Sequence, residues 1–301
     1  MNKKNKVMLV ASFEEGAYSF VVEAGLKDLG YEVLRYDPRQ LFSMGYKHPD
    51  MILDFNWKYN AFDPDYILAI KAMELPIDCI KDKPAMKINW WLDNFKRYSE
   101  TLRILNNYDK YFLSESNQGH PWLPIGIHPA VHKPMASDNP IYKNDVIFAG
   151  TAHLDRGLRI IKIMRNLPYK MKIFGNAWGS EGDFFGINVH GKAIYWDELM
   201  KAYTMSHIIL NNHYEETITP NMRAIEAPAS GTAMLSDTGK GIKECLREGE
   251  EFIPYKDTRE ARYLICKYME EPEELYRIGE NGYRRIRKDH LIHDKIKVLL
   301  K

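Results

Sequence analysis

Cysteine is scarce in this 301-residue chain: three residues, scattered at Cys79, Cys245 and Cys266. An odd number with no CxxC spacing argues against a disulfide framework or a thiolate zinc site. An excess of one charge is also missing. Lys+Arg number 42 and Asp+Glu 41, a formal net charge of +1, which gives no global pull towards nucleic acid or an acidic membrane surface. Long apolar runs are lacking too. The first apolar run, Val7 to Ala11, is too short for the apolar segment of a signal peptide or for a membrane span. It reads as a buried strand, in a chain expected to be cytoplasmic and to have no integral membrane segment. There is no short-period repeat and no low-complexity segment. A P-loop is excluded as well, because Gly239-Lys240 lacks the GxxxxGK[ST] spacing.

What is present is ordinary globular material. Hydrophobic residues make up 45 % and charged residues 28 %, enough for two cores in a chain of this length. The first half alternates strand and helix patterns. Strands are expected at Lys6–Ser12, Tyr31–Tyr36, Met51–Phe55, Met86–Leu92 and Tyr111–Leu113. A helix carrying Val21, Val22, Leu26 and Leu29 is stopped by Gly30. Asp63-Pro64-Asp65 spells DxD, but it precedes the apolar run Tyr66 to Met73 and reads as the cap and first turn of a helix, not as a metal site.

The stretch Gly119–Pro140 interrupts the alternation with Pro121, Pro124, Pro129, Pro134 and Pro140. Strands then resume at Asp145–Ala149, Lys170–Phe174, His207–Asn211 and Thr232–Ser236, with helices at Leu158–Met164, Trp196–Tyr203 and Met222–Ala229. Two successive α/β halves imply an α/β fold of two doubly wound, Rossmann-like domains facing a cleft. The expected division is 1–138, 139–280, and a C-terminal helix over 281–301 packing back towards the first domain. Asn281-Gly282 is expected to interrupt the helical tail, and Arg284, Arg285, Arg287 and Lys288 to form a solvated basic face.

The richest segment runs from His207 to Asp237. A strand ends, a polar loop follows, and a helix starts after Pro220-Asn221, with Arg223 and Glu226 in it. A helix start offers free N–H groups to a diphosphate, and Arg223 could add a charge-assisted contact. Glu226 is suited to accept ribose hydroxyls. From the residues alone, an equal alternative is that Glu226 merely balances the helix dipole and Arg223.

The run NMRAIEAPASGTAMLSD, Asn221 to Asp237, resembles the C-terminal donor domain of GT-B glycosyltransferases, most closely the CgeB-like, spore-maturation-protein-type group. In order along the chain, DVIFAGTAHLDR (Asp145–Arg156), KIFGNAW (Lys172–Trp178), Tyr195–Asn211, GEEFIPY (Gly249–Tyr255) and Asn281–His290 are similar to further pieces of that domain. The first half is similar more loosely, through Lys83-Pro84, Trp91-Leu92-Asp93 and Leu123-Pro124-Ile125-Gly126. The resemblance implies a nucleotide-sugar glycosyltransferase, hexosyl or related, that works without metal or other cofactor on a UDP-sugar as co-substrate. It implies Glu226 on the ribose, Arg156 and Arg223 on the diphosphate, Gly175 and Asn176 by the base, and the stretch from Asn211 to Asn221, Thr219 included, along the donor sugar and phosphates. A second glutamate that many retaining GT-B enzymes carry is replaced here by Ile218. The acceptor, whether glycan, protein, small molecule or nucleic acid, is not encoded in any motif.

A catalytic base should come from the first half. Glu14 and Glu15 follow the first strand, and Asp93 follows the strand ending in Trp90 and Trp91, whose aromatic surface is expected to desolvate it. Each could equally be a helix N-terminal acid. His120, His128 and His132 lie among the prolines and are expected to bind no metal. A sugar-nucleotide epimerase of the same fold and a catalytically silent sugar-nucleotide-binding subunit are the competing readings.

Overall fold

A computed structural model describes residues 5–93, 100–116, 119–179, 181–213 and 220–301. The chain forms two compact units, Met1–His128 with Ile292–Lys301, and Pro129–Leu291.

The first unit contains β1 (Lys6–Val10), α1 (Ser19–Asp28), β2 (Glu32–Tyr36), α2 (Pro38–Ser43), α3 (His48–Phe62), β3 (Tyr66–Ile70), β4 (Met86–Trp91), α4 (Thr101–Leu105) and β5 (Lys110–Leu113). Its sheet has the order β2-β1-β3-β4-β5 with every pairing parallel. Met8, Val10, Phe55, Tyr59, Ile67 and Ile80 meet in its core.

The second unit contains β6 (Asn144–Ala149), α5 (Leu154–Met164), β7 (Met171–Phe174), β8 (Gly182–Phe184), β9 (Ile187–Val189), α6 (Trp196–Thr204), β10 (Ser206–Asn211), α7 (Met222–Glu226), β11 (Ala233–Asp237), α8 (Lys240–Cys245), β12 (Ile253–Tyr255), α9 (Thr258–Met269) and α10 (Pro272–Asp289). The chain then returns to the first unit as α11 (Ile292–Leu299). The second sheet has the order β12-β11-β10-β6-β7-β9-β8, parallel except for the β8–β9 hairpin. Val146, Ile160, Ile173, Ile208, Leu235 and Ile278 lie in its core. Among the described residues, no helix is long and apolar enough to cross a membrane.

Two expected elements exchange places. Met51–Phe55, expected as a strand, lies inside α3, where Met51, Phe55 and Tyr59 recur every four residues and are buried. The Asp50 carboxylate accepts from Lys47 N at 3.0 Å and starts that helix. The third strand is instead Tyr66–Ile70, read from sequence as helical; all five residues are buried, and a short continuous apolar run carries no period to distinguish the two. The DxD then ends a helix instead of starting one. Asp63 closes α3 in the left-handed region (φ 50°), and Asp65 accepts from Asn5 N and Lys6 N at 2.8 and 3.0 Å.

The units divide at His128/Pro129, ten residues before the expected 138/139, because the later part of the proline-rich segment, from Pro129 on, belongs with the second unit. Met135 N donates to Thr204 Oγ1 at 3.0 Å. Residues 281–291 also stay with the second unit, and α10 runs unbroken through Asn281-Gly282. These glycines serve close packing, not a turn: a Cβ at Gly282 would lie 2.7 Å from the Glu251 carbonyl oxygen. The expected basic face is largely tied down. Arg285 bonds Asp289 at 2.6 Å, Arg287 donates to the Pro129 carbonyl at 3.0 Å, and Arg284 pairs with Glu280 at 2.9 Å.

Candidate functional site

In the second sheet the chain leaves β6 towards β7 on one side and later reaches β10 on the other. Such a reversal opens a crevice beyond the carboxyl ends of β6 and β10. Gly150 follows β6 there, and Asn211 ends β10.

A polar network seals the floor of this crevice. Asn211 Oδ1 accepts from Arg223 Nη1 at 2.8 Å and from Asn221 Nδ2 at 2.9 Å, while its Nδ2 donates to Ser236 Oγ at 2.9 Å. Arg223 also donates from Nε to the Ala149 carbonyl at 2.8 Å, and from Nη2 to the same oxygen. Its guanidinium lies 4.2 Å from the Phe148 ring centroid. The arginine expected on the diphosphate is therefore buried and engaged as the cross-tie between β6 and β10. The helix is also shorter than the sequence suggests. It ends at Glu226 because Pro228 has no N–H to continue it, and Asn221 caps it by accepting from Ala224 N at 2.9 Å.

Gly175, Asn176 and Arg156 lie round the same point. A Cβ at Gly175 would run into the Gly150 carbonyl, and one at Gly150 into Arg223, so only glycine lets these segments approach. Trp178 Nε1 donates to that Gly150 carbonyl at 2.7 Å, its ring edge-on to Phe148 at 5.7 Å. Asn176 is held through its carbonyl by Ala152 N at 2.9 Å and through Oδ1 by Ala193 N at 3.2 Å. Arg156, in the first turn of α5, donates to the Thr151 carbonyl and lies 6.0 Å from the Phe148 centroid. Glu226 Oε1 is 3.4 Å from His132 Nε2, and the imidazole lies edge-on to Trp196. Thr219 lies outside the described residues.

Beside the crevice, towards β12, a cavity of about 650 Å³ opens at the ends of β10, β11 and β12. Asn212, His213, Asp237 and Tyr255 line it together with Arg159 and Lys162. Asp237 accepts from His213 Nδ1 at 2.6 Å and from Asn212 Nδ2 at 2.9 Å. Burial, and then the Asp237 carboxylate, push the Tyr255 phenol well above its usual range. It stays protonated and donates to the Asn211 carbonyl at 2.9 Å. Of the stretch from Asn211 to Asn221 expected along the donor, Asn212 and His213 line this cavity. The sequence weighed His132 only as a metal ligand, and it singled out neither Phe148 nor the pairing of His213 with Asp237. Their partners are remote along the chain, and no local pattern marks them.

In the first unit, the strand order reverses between β1 and β3. Glu14 and Glu15 follow β1 and are exposed; Glu14 faces Arg39 Nε at 3.4 Å. Asp93 follows β4 and pairs with Lys71, which follows β3. Trp90 and Trp91 are fully buried, whereas the Asp93 side chain is 36 % exposed, so they do not desolvate it. Lys71 and Ala72 both have positive φ, 62° and 48°, a strain of the kind that gathers at functional sites.

Residues 156–301 match the family model described as glycosyl transferase-like. No curated protein sequence matches this chain. Among solved structures, sucrose-phosphate synthase from Thermosynechococcus elongatus is similar at a TM-score of 0.70 and 12% identity, covering 98% of each chain. HepE from Anabaena, in complex with UDP and glucose, is similar at 0.70 and 12% identity, covering 98% of this chain and 99% of its own. A putative UDP-N-acetylglucosamine 2-epimerase from Listeria monocytogenes is similar at 0.62 and 12% identity, covering 99% and 96%. The chain thus has the two-sheet α/β fold of the GT-B glycosyltransferases, with a glycosyl transferase-like domain over residues 156–301.

Proposed function

We propose that the chain transfers a sugar, hexosyl or related, from a UDP-sugar to an acceptor without a metal cofactor, as a CgeB-like enzyme of the cytoplasm. The observation that carries this reading is the crevice at the ends of β6 and β10. There, Gly150 and Gly175 leave the backbone open to close approach, and Glu226 and Asn176 are fixed near it by named partners. In this reading Glu226 accepts the ribose hydroxyls, Gly175 and Asn176 flank the base, and Asn211, Thr219 and Asn221 border the donor sugar. Arg156 meets the diphosphate and stabilises the leaving group electrostatically. Arg223 acts behind it, holding the crevice floor. Asp93 is the proposed base, with Glu14 and Glu15 as the alternatives. The UDP and glucose bound by HepE, a protein of the same fold, favour uridine as the donor base.

The test is calorimetric titration with UDP and with uridine, followed by a donor-hydrolysis and transfer assay with and without EDTA. UDP should bind more tightly than uridine, and donor cleavage should survive chelation. Absence of binding to any nucleoside diphosphate overturns the reading. Loss of activity on chelation, restored by Mn²⁺ or Mg²⁺, overturns its metal independence. The putative epimerase of the same fold supports a second reading, identified by interconversion of free sugar nucleotides. Donor binding with neither reaction identifies a silent subunit.

A further inference from the structure

Three side chains meet in the first unit, outside any residue assigned to the donor or the base. Asp28 is the last residue of α1, His128 is the last residue before the chain enters the second unit, and His293 lies in the first turn of α11 after it returns. Asp28 Oδ2 lies 3.0 Å from His128 Nε2 and 3.0 Å from His293 Nε2. The three ligand atoms all lie within 4.8 Å of one another. The imidazoles are tilted at 48° with centroids 5.3 Å apart, so both aim the same nitrogen at one point.

We propose that Asp28, His128 and His293 form a binding site for a divalent transition metal, Zn²⁺ above all, that clips the returning C-terminal helix to α1. A tetrahedral zinc with bonds of about 2.0–2.1 Å holds its ligands roughly 3.3 Å apart, close to the 3.0 Å between each imidazole Nε2 and Asp28 Oδ2. Two imidazole nitrogens and one carboxylate oxygen suit Zn²⁺, Co²⁺ or Ni²⁺ and disfavour Ca²⁺ and Mg²⁺, which require more oxygen ligands. The Asp28 side chain is 53% exposed and His293 18%, so solvent reaches the site and water completes the coordination. His128, 7% exposed, anchors it from within. The metal replaces the hydrogen bonds between the two Nε2 atoms and Asp28, with the proton of each neutral imidazole carried on Nδ1 instead.

The position gives the clip a purpose. Ile292 N donates to the Ile127 carbonyl at 2.8 Å, so the outgoing and returning segments already touch inside the first unit. Ile292 and Ile296 pack on Gly25 of α1, where an added Cβ would collide with them. A metal joining His128 to His293 closes the long loop formed by the whole second unit, where a cross-link removes most entropy from the unfolded chain. This revises the expectation that His128 takes no part in metal binding. It leaves the proposed metal independence of sugar transfer untouched, since the role assigned to the ion is structural.

The experiment uses the full chain, stripped with EDTA and dialysed, and titrated with Co²⁺ by visible absorption and with Zn²⁺ by calorimetry. One equivalent should bind, produce the intense bands of tetrahedral Co²⁺, and raise the melting temperature. His293→Gln and Asp28→Asn, both at partly exposed positions, should each weaken Kd by about tenfold or more while leaving UDP affinity unchanged. Wild-type metal affinity in both variants, or no Co²⁺ binding by the unmodified chain, overturns the proposal. Should a variant misfold, loss of its UDP binding reveals it, and the titrations of the unmodified chain still decide.

Discussion

The carboxyl edges of the two sheets are built differently. In the second unit, the ends of β6, β10 and β11 are locked together by Arg223, Asn211, Asn221, Asn212 and Asp237, with almost every donor paired inside the network. In the first unit, the matching edge carries exposed Glu14 and Glu15, and a Lys71–Asp93 pair on strained backbone. A locked edge presents fixed groups to a ligand of constant shape and loses little entropy on binding it. An open edge can adjust its charged groups to the ligand. The contrast accords with the proposal that the second unit binds the nucleotide and the first supplies the acceptor side.

The strongest way to break this contrast is Arg223→Ala. It strips the Ala149 carbonyl of its Arg223 bonds and leaves Asn211 Oδ1 with Asn221 Nδ2 alone, each lost bond costing ~1–3 kcal/mol. The second unit should lose about 3 kcal/mol or more, visible as faster hydrogen exchange at the amides of β6 and β10. A variant of native protection that lost only diphosphate affinity would return Arg223 to the ligand. Next is Asp93→Asn, which should spare UDP affinity and lower turnover by about 10²-fold, as measured in a steady-state transfer assay. Unchanged turnover would move the base to Glu14 or Glu15. Glu226→Ala should weaken UDP by about 10–150-fold, the loss of one charged hydrogen-bonding group, with little effect on folding. Wild-type affinity in that variant would sink the ribose assignment.

The smallest effect concerns acid. Burial would raise the Glu23 carboxyl, but Arg35 at 2.6 Å and Lys27 at 2.7 Å outweigh it and hold it below its ordinary 4.5. A lowered folded pKa contributes stability above about pH 4.5 that disappears as the pH falls through the folded value. Urea midpoints of the unmodified chain and of Glu23→Gln should therefore differ at pH 7 by about 1 kcal/mol or less, and converge in acid. A difference that persisted at low pH would show that packing, not charge, supplies it.

Particular residues show what could be read in advance. The buried strands at Lys6–Val10, Met86–Trp91 and Asn144–Ala149 were legible because a parallel sheet covered on both faces demands continuous apolar runs. The same property made Tyr66–Ile70 illegible, since a short run without period fits helix or strand. In the site, Glu226 and Arg223 drew notice through local spacing. The pairing of His132 with Glu226 did not, because the two lie 94 residues apart. Trp90 and Trp91 misled: beside Asp93 in sequence, they are buried in the fold.

The sequence by itself determined the α/β class, the two-part organisation, the position of the glycines at strand ends and the resemblance of the second half to a donor domain. These follow from short-range pattern, which the chain carries wherever it folds. Only the tertiary structure decided that Arg223 ties two strands together, that the proline-rich segment divides between the units at Pro129, and that Asp28, His128 and His293 converge. Each depends on contacts between residues far apart in the chain, whose geometry is set by packing and strand order, and no local spacing encodes it.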